Sequence, residues 1–316
     1  MAHSHSHDHD AAHDHHHDGP GHSHAPASFG RAFAWAAVLN IALIVAQVVY
    51  GVLANSVALL ADAGHNFGDV VGLLLAWAAH SAAQKRPTER YTYGYRSASI
   101  LAALANALLL LVATGAIVWE AIGRLAEPGT VAGGTVMIVA AIGIAVNAGS
   151  ALLLMSGRKD DLNIKGAFLH LVGDAAVSAG VVAAGAVIYF SGWNWLDPAV
   201  SIAISVVIVW TTWGLLRDSF RLSLDAVPNS IDPAAVRQYL QGLAGVASLH
   251  DLHIWGMSTR ETALTVHLVM PGGHPGDAFL MSACKALSER FGIGHATVQI
   301  EVSGNTVCPL ASSDVV

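Results

Sequence analysis

The chain has 316 residues, of which 54% are hydrophobic and only 12% are charged. Soluble domains carry about 25% charged residues, so this composition excludes a wholly soluble fold. The abundant apolar surface also excludes disorder over most of the length. The net charge of −7 argues against a nucleic-acid partner. The two cysteines, Cys284 and Cys308, are too few for a disulfide scaffold and fit a reducing compartment.

Histidine is the compositional outlier, with 18 residues, ten of them before residue 25. Residues 1–28 form a low-complexity tail in which histidines alternate with Asp and Ser. Such a tract cannot build a core, so we predict that it is disordered. Imidazole and carboxylate groups hold borderline metal ions, which predicts a metal-buffering tail. A solubilising tail and an expression artefact are the alternative interpretations.

Residues 29–217 are a succession of apolar segments. A helix rises 1.5 Å per residue and the hydrocarbon core is about 30 Å thick, so a membrane span needs about 20 residues. We therefore predict an all-α domain of six helices embedded in a lipid bilayer. The six segments are Ala32–Leu53, Val57–His80, Ser97–Ala121, Val131–Ser156, Gly166–Phe190 and Leu196–Leu216.

Positive charge is unevenly distributed over the predicted loops. The connections between spans one and two and between spans five and six carry no Lys or Arg. The connections between spans two and three and between spans four and five carry Lys85, Arg86, Arg90, Arg96, Arg158, Lys159 and Lys165. Under the positive-inside rule both termini face the cytoplasm, which predicts a multi-pass protein of the cell (inner or plasma) membrane.

Residues 218–316 are more polar. Asp232 as an N-cap and Pro233 at the first helical position predict a helix that runs to about Leu243. Further elements are predicted as strands at Val246–Ser258 and Thr262–Met270, a helix at Gly276–Arg290 and a strand at Ala296–Val302. The α-β-β-α-β order with an antiparallel hairpin predicts a small cytoplasmic α+β domain.

The second and fifth predicted spans each carry a His-x-x-x-Asp motif. The first pair is His65 with Asp69, and the second is His170 with Asp174. Residues i and i+4 lie on one face of a helix, so each helix presents one imidazole and one carboxylate side by side. Two such helices that face each other would supply two nitrogen and two oxygen ligands, a tetrahedral set suited to Zn²⁺.

Carboxylates within a membrane span are costly. An Asp at a helix centre costs about 2.5–3.5 kcal/mol, so Asp69 and Asp174 together cost roughly 5–7 kcal/mol. The flanking helices offer no Lys or Arg to neutralise them. A divalent cation or protons would do so, which favours a functional site over hydrogen bonds that serve only packing. Asp62, on the same helix face, is a candidate for ion entry or a proton relay, or else a solvated or capped polar residue.

Three stretches carry a resemblance to a known family: Ser56–Asp69, Tyr93–Arg96 and His250–Trp255. Together the chain resembles the cation diffusion facilitator family, in particular its zinc (zinc/cobalt/cadmium) efflux branch, over about residues 30–310. The resemblance implies a homodimer of six-helix subunits, a cytoplasmic domain of metallochaperone-like fold and metal–proton exchange. It also implies a transport site at His65, Asp69, His170 and Asp174.

The predicted cytoplasmic domain carries a second polar set. His250 and His267 fall on the two strands of the hairpin, and His295 and Glu301 lie by the last strand. The resemblance implies that these four residues form a regulatory metal site. Ordinary surface histidines are the alternative, because spacing across strands is a weaker guide than spacing within one helix. Two further residues, His253 and Asp277, are weaker candidates. Cys308, near the C-terminus, could join a metal site or be a bystander.

These features predict a proton-coupled efflux transporter for a divalent metal. Zn²⁺ is the favoured substrate and a regulatory ligand, although Co²⁺, Ni²⁺ and Cd²⁺ can occupy similar sites. Alternating access around the four intramembrane ligands would move the ion out of the cytoplasm. A membrane-embedded metalloenzyme is one alternative, but the sequence has no His-Glu-x-x-His motif. A metal sensor that signals without moving ions is the other.

Overall fold

The computed structural model describes residues 29–154, 162–302, 308 and 310, and the predicted tail at 1–28 lies outside this part. Six long helices are followed by a smaller α+β unit, as the sequence predicts. The helices are α1 (Phe29–Leu53), α2 (Val57–Ala83), α3 (Ala98–Ala126), α4 (Gly133–Leu154), α5 (Leu162–Ser191) and α6 (Leu196–Ser223). The remaining elements are α7 (Pro233–Gln241), β1 (Ser248–Gly256), β2 (Thr262–Val269), α8 (Asp277–Phe291) and β3 (Ile293–Glu301).

Four helices in the described part of the chain, α3 to α6, are long and apolar enough to cross a membrane. The side chains described in α1 form a shorter apolar stretch, Val38–Leu53. Polar residues interrupt α2, among them Asp62, His65 and Asp69. Large apolar side chains such as Trp119 and Phe190 are exposed on the outer surface, as expected of helices that face lipid.

The long helices pack in two groups. α4 and α5 lie along each other, while α3 packs against both α2 and α6. α1 packs against α2 and also contacts α4, whereas α2 and α5 touch only over a short stretch. The buried core where they meet includes Leu59, Leu110, Val139, Val181 and Ile204, one residue from each of α2 to α6.

The start of α2 is fixed by a carboxylate from α6. Ser56 is the N-cap residue, and its hydroxyl accepts a hydrogen bond from the backbone N–H of Leu59 at 3.1 Å. The carboxylate of Asp197 accepts further bonds from the Ser56 hydroxyl and from the Val57 N–H at 2.7 Å. An anion at a helix N-terminus satisfies free N–H groups and interacts favourably with the helix dipole. α2 is therefore anchored at one end before the polar motif begins.

The α+β unit has one three-stranded sheet in the order β1-β2-β3. β1 and β2 are antiparallel, and β3 is parallel to β2. Asp232 caps α7 by accepting from the Ala234 N–H at 2.9 Å, as its sequence position predicts. The helices cover one core, which includes Leu240, Leu264 and Leu287. α6 continues to Ser223, so the last membrane helix extends past the predicted domain boundary at residue 217.

The turn between β1 and β2 contacts the start of α3. The Ser97 hydroxyl donates to the Met257 carbonyl at 3.3 Å, and the Thr259 N–H donates to the Ser99 hydroxyl at 3.1 Å. The Arg96 guanidinium lies 3.0 Å from the Glu261 carboxylate. This turn therefore joins the α+β unit to the six-helix unit at a second point, besides the covalent link after α6.

Candidate metal centres

The two His-x-x-x-Asp motifs meet between α2 and α5. Nε2 of His65 lies 3.3 Å from Asp174 Oδ1 and 3.9 Å from Asp69 Oδ2. Nε2 of His170 lies 3.1 Å from Asp69 Oδ2 and 3.6 Å from Asp174 Oδ2. Each imidazole thus contacts one carboxylate of its own helix and one of the facing helix. The structure brings all four predicted residues together, and we name them the membrane centre.

The spacing of these donor atoms suits a small ion. Zinc bonds to nitrogen and oxygen of about 2.0–2.2 Å place the ligands of a tetrahedral site about 3.4 Å apart. The four His-to-Asp distances, from 3.1 to 3.9 Å, bracket this value. One donor atom each from His65, Asp69 and Asp174 lies within 4.8 Å of the other two. His170 joins through its contacts with the two carboxylates, and its ring centroid lies 6.0 Å from that of His65.

Burial differs across the membrane centre. The Asp174 side chain is 7% exposed, while that of His170 is 47% exposed. The centre is therefore closed on the side of Asp174 and open on the side of His170. In the described part of the chain, Nδ1 of His65 is buried without a hydrogen-bond partner.

A buried polar network lies beside the membrane centre. The Asp62 side chain is fully buried, and its Oδ2 accepts hydrogen bonds from Gln47 at 2.5 Å and from Ser178 at 3.2 Å. The Asn66 amide in turn donates to Gln47 Oε1 at 3.2 Å. The Asp62 carboxylate is thus neither solvated nor the cap of a helix end. It is the acceptor at the centre of a network that joins three helices.

A second cluster lies in the sheet of the predicted cytoplasmic domain. His250 and His267 face each other across β1 and β2, with ring centroids 5.1 Å apart. Glu301 Oε1 lies 3.2 Å from His250 Nε2 and 3.0 Å from His267 Nδ1. The thiol of Cys308 lies 3.7 Å from the same ring nitrogen of His267. These four residues, which we name the cytoplasmic cluster, each offer a ligand atom within 4.8 Å of the others.

Charge and strand geometry shape this cluster. Burial raises the pKa of Glu301, but the Cys308 thiol and the His250 and His267 rings outweigh that effect, so the net pKa lies below its ordinary value. The register between β1 and β2 shifts after His250, and Asp251 there adopts a positive φ of 50°. This irregularity brings the Asp251 carboxylate 3.4 Å from His267 Nε2. The sequence does not indicate Asp251 as part of this site. In a regular strand, neighbouring side chains point to opposite faces, so Asp251 is expected to point away from His250.

His295 does not join the other predicted cytoplasmic ligands. It lies near the start of β3, opposite Ala263, whereas His267 is opposite Gln299. Four residues along a strand span about 13 Å, which is too far to share an ion. The His295 ring instead contacts Tyr93, with centroids 5.6 Å apart. Of the weaker candidates, His253 contacts Asp251 at 2.9 Å, and Asp277 stands in the first turn of α8.

The fold and the two clusters define a class: a helical membrane protein with a polar centre between two helices and a cytoplasmic α+β domain. Two family models match the chain, the cation efflux transmembrane domain over residues 34–222 and the cation efflux protein cytoplasmic domain over residues 228–303. The chain therefore belongs to the cation efflux family. This confirms the resemblance to the cation diffusion facilitators and their zinc, cobalt and cadmium branch.

Several curated relatives are similar over most of their length. The metal cation efflux system protein CzcD of Cupriavidus metallidurans is 37% identical over 279 residues, which is 88% of each chain. The zinc transporter ZitB of Escherichia coli is 38% identical over 81% of this chain and 82% of its own. The cadmium, cobalt and zinc/H(+)-K(+) antiporter of Bacillus subtilis is 33% identical over 82% of this chain and 85% of its own. These relatives are transporters of metal cations.

One similar solved structure is the metal-bound C-terminal domain of the CzcD transporter from Cupriavidus metallidurans. It is 33% identical and covers 22% of this chain and 99% of its own, with a TM-score of 0.21.

Proposed function

We propose that this chain exports a divalent metal ion, with Zn²⁺ as the preferred substrate, from the cytoplasm in exchange for protons. The observation that carries the proposal is the membrane centre, where two imidazoles and two carboxylates converge between α2 and α5. Nitrogen and oxygen ligands in this number suit Zn²⁺. The names of the relatives, which include a zinc transporter and a cadmium, cobalt and zinc antiporter, support the substrate class.

The same contacts can hold either protons or a metal ion. Without metal, a protonated His170 donates to Asp69 and a protonated His65 to Asp174, so up to two protons balance the two carboxylates. A divalent ion balances the same charge, and it requires neutral imidazoles. Metal binding therefore displaces protons, and protonation releases the metal. Histidine suits this exchange because its ordinary pKa is about 6.5.

Alternating access requires that the membrane centre open to each side in turn. α2 and α5, which carry the ligand pairs, belong to different packing groups and touch over a short stretch. Movement of α5 together with α4 relative to α2 would change which side reaches the ion. We place both termini in the cytoplasm and the protein in the cell membrane, since Lys and Arg collect in alternate loops.

The cytoplasmic domain supplies the regulatory part of the proposal. Metal bound at His250, His267 and Glu301, with Cys308 as a further ligand, would report the cytosolic metal concentration. Two copies of the chain would associate through this domain as a homodimer, and bound metal would draw them together. We divide the chain accordingly into a metal-buffering tail at 1–28, a membrane domain that ends with α6, and the cytoplasmic domain.

Zinc flux in reconstituted vesicles tests the proposal. Purified protein is placed in liposomes with an acidic lumen, and zinc uptake is followed with a trapped fluorescent indicator. We expect uptake that depends on the pH gradient, and loss of at least about 100-fold in Asp174→Ala, because a ligand is removed and the two histidines lose a buried partner. Uptake by Asp174→Ala at the parent rate would refute the assignment of the site.

A further inference from the structure

The network around Asp62 has no part in the exchange proposed above. It is formed by Gln47 of α1, Asp62 and Asn66 of α2, and Ser178 of α5. Three of the four side chains are fully buried, and Asn66 is 5% exposed. In the part of the chain that the structure describes, Asp62 has no Lys or Arg partner and its Oδ1 meets no hydrogen-bond donor. A carboxylate is a costly choice at such a place, so its role calls for an explanation.

One oxygen atom of Asp62 holds two neighbouring helices to α2. Its Oδ2 accepts from Gln47 on α1 and from Ser178 on α5. Hydrogen bonds to a carboxylate are stronger than bonds between neutral groups. Gly143 of α4 packs against this network, and its lack of a side chain leaves space for it. A Cβ at this position would come within 3.1 Å of the Ser178 hydroxyl and 3.6 Å of the Gln47 amide. The Asp62–Ser178 bond therefore crosses between α2 and α5, which otherwise touch little.

This bond lies about one helical turn from the membrane centre on both helices. Asp62 precedes His65 by three residues on α2, and Ser178 follows Asp174 by four residues on α5. Residues three or four apart are neighbours on a helix face. The Asp62–Ser178 bond at 3.2 Å thus runs beside the His65–Asp174 contact at 3.3 Å. A change in the Asp62–Ser178 bond therefore changes the distance between His65 and Asp174.

We infer that Asp62 is a positioning residue for the metal site, which sets the separation of the two ligand pairs through its bond to Ser178. Gln47 and Asn66 hold Asp62 in place for this task. The inference rests on the proposed function, because it assigns the network a role in metal affinity. Loss of the link loosens the ligand set without removing a ligand, so it weakens metal binding and leaves the exchange reaction intact.

Ser178→Ala is the sharpest test, since it removes only the bond between the helices and leaves the carboxylate in place. We expect the KM for zinc uptake to rise about fivefold, the equivalent of roughly 1 kcal/mol, with Vmax per folded molecule unchanged. Ser178→Thr keeps the hydroxyl and should restore the parent KM. Ser205→Ala is the matched control, because Ser205 is a buried serine of α6 without a hydrogen-bond partner in the described residues.

Asp62→Asn separates positioning from proton transfer, because it keeps an acceptor oxygen and removes the charge. We expect this variant to keep the Vmax and the pH profile of the parent while its KM rises, because the bonds from Gln47 and Ser178 lose a charged acceptor. If Ser178→Ala has the KM of Ser205→Ala, or if Asp62→Asn loses Vmax and flattens the pH profile, the inference is wrong. His65→Ala is assayed in parallel. Parent-like transport by His65→Ala would instead refute the proposed function, and the two failures are therefore distinguishable.

Discussion

The membrane centre and the cytoplasmic cluster contain similar side chains, which are carried by helices in the first and by a β-sheet in the second. In the membrane, each helix contributes a pair four residues apart, and the helices α2 and α5 meet over a short stretch. In the cytoplasmic domain, three strands and one residue beyond β3 each contribute a single side chain, and hydrogen-bonded registers fix the sheet. In the membrane centre, few contacts join the two helices, among them the Asp62–Ser178 bond, so the two ligand pairs can separate when these contacts break. In the cytoplasmic cluster, the sheet holds the two histidines at a fixed separation.

This contrast fits the two proposed roles. A transport site must release its ion, so ligands divided between separately packed helices are suited to the task. The occupancy of a regulatory site must follow the cytosolic metal concentration. Ligands held by a rigid sheet, with a nearby thiol, favour stable binding of the ion. If the two centres are independent, variants of one should leave metal binding at the other unchanged.

The largest expected effect is that of His65→Ala. Loss of this nitrogen ligand should weaken zinc binding at the membrane centre by at least about 100-fold and abolish transport, while the cytoplasmic cluster still binds. Calorimetric titration of the purified variant with zinc should show one class of binding site fewer than titration of the parent. His80→Ala is the control, because His80 lies on the same helix and pairs with Gln84 outside the centre. Loss of both classes of site in His65→Ala would show that the centres are coupled.

His267→Ala should produce the converse result. His267 contacts both Glu301 and Asp251, so its loss should weaken metal binding at the cytoplasmic cluster by about 100-fold. Transport at saturating zinc should continue, with a changed dependence on zinc concentration. Titration and vesicle uptake of the same preparation measure the two effects. Abolished transport at saturating zinc would contradict the division of roles.

Asp251→Asn should have an intermediate effect. Carboxylates that contact the second nitrogen of a ligating histidine raise its basicity and orient its ring, and their loss costs about 10–100-fold in metal affinity. We expect about a 10-fold loss of affinity at the cytoplasmic cluster and none at the membrane centre. An unchanged titration would show that the Asp251–His267 contact does not tune this site.

His295→Ala should have the smallest effect. The residue lies at the far end of β3 from Glu301 and contacts Tyr93. Metal affinity of the cytoplasmic cluster should therefore stay within about twofold of the parent, as titration can establish. A large loss of affinity would mean that His295 reaches a metal ion in some other arrangement of the chain.

Local periodicity explains what could be predicted from the sequence. The spacing of residues along a helix does not depend on its surroundings. Each His-x-x-x-Asp pair, His65 with Asp69 and His170 with Asp174, therefore shares one helix face wherever the helix lies. The hydropathy of the long apolar segments locates the predicted membrane spans. Strand partners depend on register. β3 begins at Ile293 instead of the predicted Ala296, which places His295 within the strand, and the irregularity at Asp251 breaks the alternation on which strand patterns depend.

Residue spacing within one helix or strand does not predict contacts between distant segments of the chain. Gln47, Asp62 and Ser178 lie on three helices, and no spacing within one helix indicates that they share a carboxylate oxygen. Cys308 lies beyond the last strand, and no spacing in the sequence indicates that its thiol lies 3.7 Å from His267 Nδ1. Both cases depend on tertiary packing, which a single sequence does not reveal.

X-ray absorption at the zinc edge tests the central claim most directly. The double variant His267→Ala and Cys308→Ser, made in a chain without residues 1–28, removes both the cytoplasmic cluster and the proposed metal-buffering tail. Any remaining tightly bound zinc should then report on the membrane centre. We predict one zinc ion with nitrogen and oxygen neighbours at about 2.0–2.2 Å and no sulfur neighbour. A sulfur shell at about 2.3 Å, or no bound zinc, would contradict a metal site at His65, Asp69, His170 and Asp174.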